Sequence, residues 1–234
     1  MTELQAPAGG WRNARVLEVS HPAPHAVVLR LEVPDRVQHL PGQHYVVRLT
    51  AEDGYVAQRS YSLASPPSSP LVELYVERLD DGEVSTYLAD VVQPGDALEV
   101  RGPIGGWFVW RGDTPAVGVA GGTGVVPLIA MLRHARDIER TDLVRIAVSA
   151  RTLAELPYAE ELVAAGAQIA LTREDGIGRP RSRLTVVDLA PLVNPDATYY
   201  VCGSTGFAEA ASMLLMDVAV PAAAVRVERF GPSG

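Results

Sequence analysis

Four consecutive residues, Arg59-Ser60-Tyr61-Ser62, place a cation, two hydroxyls and an aromatic ring in one short stretch. In an extended chain successive side chains point to opposite faces, so Arg59 and Tyr61 share one face while Ser60 and Ser62 share the other. The first face offers a guanidinium to a phosphate and a ring to a planar heterocycle at the same time. Downstream, Gly121-Gly122-Thr123-Gly124-Val125-Val126-Pro127 joins one apolar run to the next. Its glycines let the backbone turn sharply and approach a ligand, and the N–H groups at a helix start attract a pyrophosphate. From Gly122 the spacing is G-x-G-x-x-P rather than the dinucleotide-binding G-x-G-x-x-G. Pro127 suits a first helical turn, where its missing N–H costs nothing.

Three further groups are candidates. Ser149-Ala150-Arg151-Thr152 ends a predicted strand where many NAD-binding folds put an acidic residue for the ribose diol. An arginine there favours a phosphate; with Arg173, and with Arg179, Arg181 and Arg183 in the following loop, Ser149 and Arg151 form a candidate clamp for the 2′-phosphate of NADP. Cys202-Gly203-Ser204 lies at the carboxyl end of a predicted strand, where ligands bind in open α/β sheets. Glu228-Arg229-Phe230 sets an acid and a ring at alternate positions of the last strand. Taken singly, each has a plainer alternative: solvated surface arginines, a small buried cysteine, a core phenylalanine. His21, His25, His39, His44 and His134 show no metal-ligand spacing, and no G-x-S-x-G serine elbow occurs, so no metal site is expected.

The elements that must position these groups change rhythm once. To about Arg111 the chain reads as short strands, Val16–Val19, Ala26–Val33, His44–Leu49, Leu71–Arg78 and Ala97–Val100, punctuated by Asp53-Gly54, Asp81-Gly82 and Pro94-Gly95-Asp96. One short helix, Ser85–Val92, is expected among them. Many short strands with regular turns predict a small barrel or sandwich. Beyond Arg111 strand and helix alternate: strands Ala116–Ala120, Leu143–Ser149, Ala167–Thr172, Thr198–Cys202 and Val225–Phe230, with helices Val125–Arg140, Ala154–Ala165 and Phe207–Met216. That alternation predicts a parallel sheet covered on both faces. The boundary is expected at Gly112-Asp113-Thr114-Pro115, giving domains 1–112 and 113–234.

Composition bounds the rest. The 234 residues are enough for two cores, and 47% hydrophobic with 21% charged residues is ordinary for a soluble protein. All 20 basic residues are arginine, and the net charge of -8 argues against nucleic acid as a partner. The lone Cys202 excludes an internal disulfide, a structural zinc site and a cysteine-ligated cluster within this chain. Met1 to Gly10 lacks the basic and apolar tandem of a secretory signal. The apolar stretch Thr114–Leu132, broken by glycines and prolines, reads as a strand, a turn and a helix start rather than a membrane span. A cytoplasmic location is expected.

In order and spacing these residues resemble the ferredoxin–NADP reductase superfamily over essentially the whole chain. The resemblance implies an N-terminal antiparallel Greek-key β-barrel that binds flavin, followed by a C-terminal α/β parallel-sheet domain that binds NAD(P). Arg59-Ser60-Tyr61-Ser62 is similar to the family's R-x-Y-S motif, which implies that Arg59 holds the flavin pyrophosphate, Tyr61 packs on the ring system and Ser62 lies near flavin N5. Gly82-Glu83-Val84-Ser85 is similar to its second flavin motif, with Ser85 at the pyrophosphate, and the resemblance adds Ser60, Val76 and Val84 to the cofactor-binding set. The loop Gly121, Gly122, Thr123, Gly124 matches the nicotinamide-nucleotide loop, Ser149 and Arg151 the 2′-phosphate pair, and Cys202-Gly203 the nicotinamide-side motif. Glu228 then stands at the nicotinamide and Phe230 shields the flavin. Plant-type members end at a tyrosine, whereas this chain has Phe230 and continues through Gly231-Pro232-Ser233-Gly234. The resemblance, closest to stand-alone bacterial oxidoreductases, implies an NAD(P)H-dependent flavoprotein reductase with FAD, with NADP(H) preferred over NAD(H). Ser62, Cys202 and Glu228 would line the hydride path. Electrons would then pass to a separate redox protein such as a ferredoxin or an oxygenase component. The alternatives are a flavin reductase that releases reduced free flavin and a non-turnover redox sensor subunit.

Overall fold

The computed structural model describes residues 10–176 and 178–230. The expectations for residues 1–9 and for the tail from Gly231 lie outside the described residues. In the N-terminal half six strands form one antiparallel sheet: β1 (Arg12–Ala23), β2 (Ala26–Glu32), β3 (His44–Thr50), β4 (Val56–Ser62), β5 (Val72–Glu77) and β6 (Ala97–Ile104). Their spatial order is β4-β3-β6-β1-β2-β5. Two-residue alternation drives the curl, because Val27, Leu29 and Leu31 of β2 are fully buried on one face while Arg30 and Glu32 stay exposed. The two edge strands, β4 and β5, meet at one corner. There Leu63 bridges Leu74, and the Ala64 N–H donates to the Glu73 carbonyl at 2.9 Å. The expected barrel is therefore barrel-like and joined at a corner rather than closed by a full ladder. The helix α1 (Glu83–Asp90) drops Val84 and Leu88 into this core, starting two residues earlier than the periodicity predicts.

The C-terminal half is a five-stranded parallel sheet of β7 (Ala116–Gly121), β8 (Val144–Ala150), β9 (Gln168–Leu171), β10 (Thr198–Ser204) and β11 (Val225–Phe230), in the order β11-β10-β7-β8-β9. Helices cover both faces. Alternate residues of the central β7 join opposite cores: Ala116 and Ala120 pack with Leu128, Ile129 and Leu132 of α2 (Val126–Asp137), whereas Val117 and Val119 pack with Ala208, Ala211 and Leu215 of α5 (Thr205–Asp217). From β7 the chain runs outward to β8 and β9, and then returns to the other side of β7 with β10 and β11. The carboxyl ends of β7 and β10 thus form the switch point at which open α/β sheets bind ligands.

Two local expectations change. The helix expected at Ala154–Ala165 is only α3 (Ala159–Ala164), because Tyr158 sits in the left-handed region at φ 56° just after Pro157, and residues ahead of it form turns. A short helix the periodicity does not predict, α4 (Val186–Leu189), opens on a capping box between Thr185 and Asp188. Among the described residues no helix is long and apolar enough to cross a membrane.

Candidate functional site

The glycine loop and the Cys202-Gly203 motif meet at the switch point by close backbone approach. A Cβ on Gly124 would lie 2.2 Å from the Cys202 carbonyl oxygen and 2.7 Å from the Gly203 nitrogen, so no larger residue fits between β7 and β10. A Cβ on Gly121 would lie 2.6 Å from the Phe207 ring. Gly122, at φ +53°, has nothing within 4 Å of its open side. After this turn the chain enters α2 with Pro127 in the first helical turn, as the sequence predicts. In register, Cys202 stands between Ala120 of β7 and Glu228 of β11, and Phe230 lies beside Ser204. The sheet thus brings Gly121–Gly124, Cys202, Gly203, Glu228 and Phe230 to one edge.

Two titratable groups there are poised in different ways. Cys202 is fully buried; burial first, and the Glu228 carboxyl second, push its thiol far above the ordinary range. It is a small neutral surface at neutral pH, not a nucleophile. Glu228 is partly covered, but its Oε2 atom is buried and has no hydrogen-bond partner among the described residues. Burial pushes its carboxyl up to about 7.

Across the fold, β4 lies at the edge of the barrel-like sheet, pairing Arg59 with Val47, Tyr61 with Tyr45 and Ser62 with His44. Arg59 and Tyr61 are half-buried and Ser60 is exposed, while Ser62, expected on the same face as Ser60, is buried at the strand end. The Arg59 guanidinium donates to the Gln58 carbonyl at 2.8 Å, and Tyr61 packs against the barrel core, which pushes its phenol up despite the nearby Arg59 cation. Ser62 is buried. Val76 and Val84 are interior, so their side chains face the core and only their backbones border any ligand. Ser85 also turns inward. Its hydroxyl donates to the Gly82 carbonyl at 3.1 Å and accepts the Leu79 N–H at 3.2 Å, which shapes the turn into α1. A Cβ on Gly82 would strike that hydroxyl at 2.2 Å.

A hydrogen bond joins the glycine loop to the N-terminal half, across the cleft between the two halves. Thr123 Oγ1 of the glycine loop donates to Glu77 Oε2, at the end of β5, at 3.2 Å. Sequence reasoning assigns Glu77 no role; the only signal for it is an acid that ends an apolar strand. At the far edge, Ser149 lies between Gly121 and Ala170, and the Arg173 N–H donates to the Arg151 carbonyl at 2.9 Å. The side chains of Arg151 and Arg173, at neighbouring points of the backbone past this edge, are both exposed. Arg179 does not join them, being held by Asp188 and Ser182. Arg181 and Arg183 are exposed.

Residues 15–109 match the family described as oxidoreductase FAD-binding domain. The chain is 32% identical over 250 aligned positions to a flavohemoprotein of Deinococcus radiodurans, covering 96% of this chain and 61% of that one. It is 30% identical over 222 positions to the reductase component of propane 2-monooxygenase from Mycolicibacterium smegmatis, covering 87% and 63%. Among solved structures, the FAD/NAD binding domain of nitric oxide dioxygenase from Vibrio cholerae O1 biovar El Tor superposes with a TM-score of 0.81 at 24% identity, covering 94% of this chain and 99% of that one. The chain spans about three fifths of the length of the curated relatives it matches.

Proposed function

We propose that this chain, which shares its FAD-binding-domain match and its two-sheet fold with the ferredoxin–NADP reductase superfamily, is an NAD(P)H-dependent flavoprotein reductase, with residues 1–112 holding FAD and residues 113–234 holding the nicotinamide nucleotide. The observation that carries the reading is the convergence of the glycine loop, Cys202-Gly203 and Glu228 at a switch point that hydrogen bonds across to the flavin-side strand β5. The residues fit the cofactors: Gly122 and Gly124 leave backbone open or closely packed where a side chain would intrude, and Glu228 Oε2 is a buried acceptor without a partner among the described residues.

Arg59 is assigned to the flavin pyrophosphate, together with the backbone of Gly82 and of the first turn of α1. Ser60, Val76, Val84 and Ser85 border the same cofactor, and Tyr61 and Phe230 flank its ring system. When bound, FAD supplies two-electron acceptance and one-electron release. The chain's own work is positioning and electrostatics. Ser62 and Cys202 present small, water-poor surfaces to the transferring hydrogen, while Glu228, near neutrality in its proton affinity, holds or releases a proton beside the nicotinamide. Ser149, Arg151 and Arg173 support a preference for NADPH over NADH.

The acceptor in this reading is a separate redox protein, an oxygenase component or a ferredoxin, supported by the similarity to a monooxygenase reductase component. A cytoplasmic setting follows from the demand for NAD(P)H. Anaerobic titration of the yellow protein with NADPH and with NADH tests the assignment, and rapid bleaching with stoichiometric bound FAD is expected. A colourless protein that reduces added flavin would instead make it a flavin-releasing reductase, and slow or absent bleaching a sensor. Arg59→Ala is expected to lower flavin retention. Arg151→Ala is expected to raise KM for NADPH on the order of tenfold and leave KM for NADH nearly unchanged; equal effects on both remove the preference.

A further inference from the structure

A cluster outside the motif residues themselves ties the two halves together. Glu73 of β5 is buried, its side chain 7% exposed, and three donors surround it: Arg133 at 2.7 Å, Arg30 at 2.9 Å and the Tyr158 hydroxyl at 2.9 Å. Arg133 lies on α2 and all three of its guanidinium nitrogens donate. Besides Glu73 it grips both carboxylate oxygens of Glu161 on α3, at 2.6 and 3.1 Å, and donates to the Ala64 carbonyl at 3.1 Å. It also lies over the Tyr158 ring, 4.8 Å from its centroid, and that ring packs on Tyr75 with centroids 5.6 Å apart. Burial alone would raise the Glu73 carboxyl, but the Arg133 charge and the hydrogen bonds from Arg133, Tyr158 and Arg30 together hold it below the ordinary carboxylate range.

The positions of the two gripped atoms matter more than the charges. Ala64 follows Ser62 by two residues, so its carbonyl belongs to the same piece of backbone as the flavin motif. Arg133 is seven residues along α2 from Val126, about 10 Å of rigid helix from the end of the glycine loop. One guanidinium therefore fastens the helix that carries the nucleotide loop to the strand end that carries Ser62. A planar, always-charged fork holds several acceptors in fixed directions, which a point charge on a flexible stem does not.

We propose that Arg133, braced by Glu73 and Glu161, is the positioning residue that sets the spacing between the nicotinamide side and the flavin side of the cleft. The inference rests on the function proposed above. It requires that Arg133 touch neither nucleotide nor flavin and act through α2 and Ala64. Loss of its fork then loosens the register of the two rings while leaving each binding site intact.

The test uses the whole protein with Arg133→Lys, which keeps the buried charge and removes the fork, beside Arg133→Met. Rapid-mixing reduction by NADPH without air is compared with flavin content, with NADP binding and with amide hydrogen exchange of the flavin-free protein. The lysine variant is expected to keep its flavin and to bind NADP within about threefold of wild type, while the saturating rate of flavin bleaching falls on the order of tenfold or more. The charge-transfer absorbance of the mixed complex is expected to weaken, and exchange at Ala64 and through β5 to speed up in the flavin-free protein. An unchanged bleaching rate in the lysine variant overturns the proposal, as does a folded methionine variant with unchanged rate and exchange. So does a loss confined to NADP affinity, which would make Arg133 a binding residue. A wild-type protein that neither holds flavin nor bleaches overturns the proposed function itself, and this inference with it.

Discussion

Glu73 and Glu228 are two glutamates in covered sites on either side of the same cleft, and they end in opposite electrostatic states. At the seam, Glu73 has three donors and is held ionised below the ordinary range. At the switch point, Glu228 has one oxygen with no partner among the described residues and is pushed up to about 7. Burial raises the proton affinity of both, and what separates them is the supply of partners. The difference teaches how the chain divides its labour. A covered carboxylate with both oxygens answered is a fixed strut, whereas one with an oxygen left unanswered is free to change its proton count during a reaction.

The largest test of that contrast removes the strut's partner. Arg133→Met leaves Glu73 buried beside only Arg30 and Tyr158, and a loss of about 3–5 kcal/mol of stability is expected by urea denaturation. A loss under about 1 kcal/mol would mean that water or Arg30 replaces the missing cation. Next comes the pH dependence of the two acids, which have opposite signs. Glu73 has a folded pKa below its unfolded one, so its contribution is present above the unfolded value near 4.5 and disappears as pH falls through the folded one. Glu228 has a folded pKa raised to about 7, so folding favours its neutral form, and stability declines as pH rises from about 4.5 toward 7. That decline is expected to amount to roughly 1–3 kcal/mol and to vanish in Glu228→Gln, as read from thermal unfolding of the flavin-free protein across this range. The same variant is expected to flatten any pH dependence of flavin bleaching near neutrality.

A smaller effect separates the Thr123–Glu77 cross-link from the seam. Thr123→Val removes the bond to Glu77, and because that bond is exposed, stability is expected to change by about 0.5 kcal/mol or less. The bleaching rate, which senses the loop directly, should fall by more than that change implies. The smallest effect sharpens the contrast from the other side. Cys202, buried with its thiol pushed far up, is expected to resist alkylation in the native protein at pH 8 and to react at once in denaturant. Fast native labelling would show the switch point to be open to solvent.

Much of this arrangement was legible in the sequence, and the part that was not has a common physical cause. Strands β2, β3 and β5, the glycine turn and the Cys202-Gly203 edge announce themselves because alternation, glycine and a following apolar helix are local signals. The helix before Ala159 was misread because leucines and alanines at 153–156 suit a helix, while Pro157, the left-handed Tyr158 and the bond from the Leu153 N–H to Glu174 hold that segment in turns. The missed α4 did carry its own sign, the Thr185-x-x-Asp188 box. Arg179 looked like a phosphate ligand until Asp188 claimed it, and Ser85 looked like a pyrophosphate contact although its hydroxyl shapes its own turn. The seam had almost no local signature. Its members are 28 to 85 residues apart, and only the acid inside Val72-Glu73-Leu74-Tyr75-Val76 hints that something must answer it.

The unfinished corner of the barrel-like sheet, where Leu63 meets Leu74, bears on exchange of parts between such proteins. At that corner the Ala64 carbonyl is answered by a side chain from the other half rather than by a neighbouring strand. A chimera that grafts a different nucleotide-binding half onto this barrel must therefore supply a cation at the Arg133 position and a hydroxyl at the Tyr158 position. Without them it leaves an acid and a strand edge uncovered, open to pairing between molecules. Such a graft would betray itself as precipitate before any assay of its chemistry.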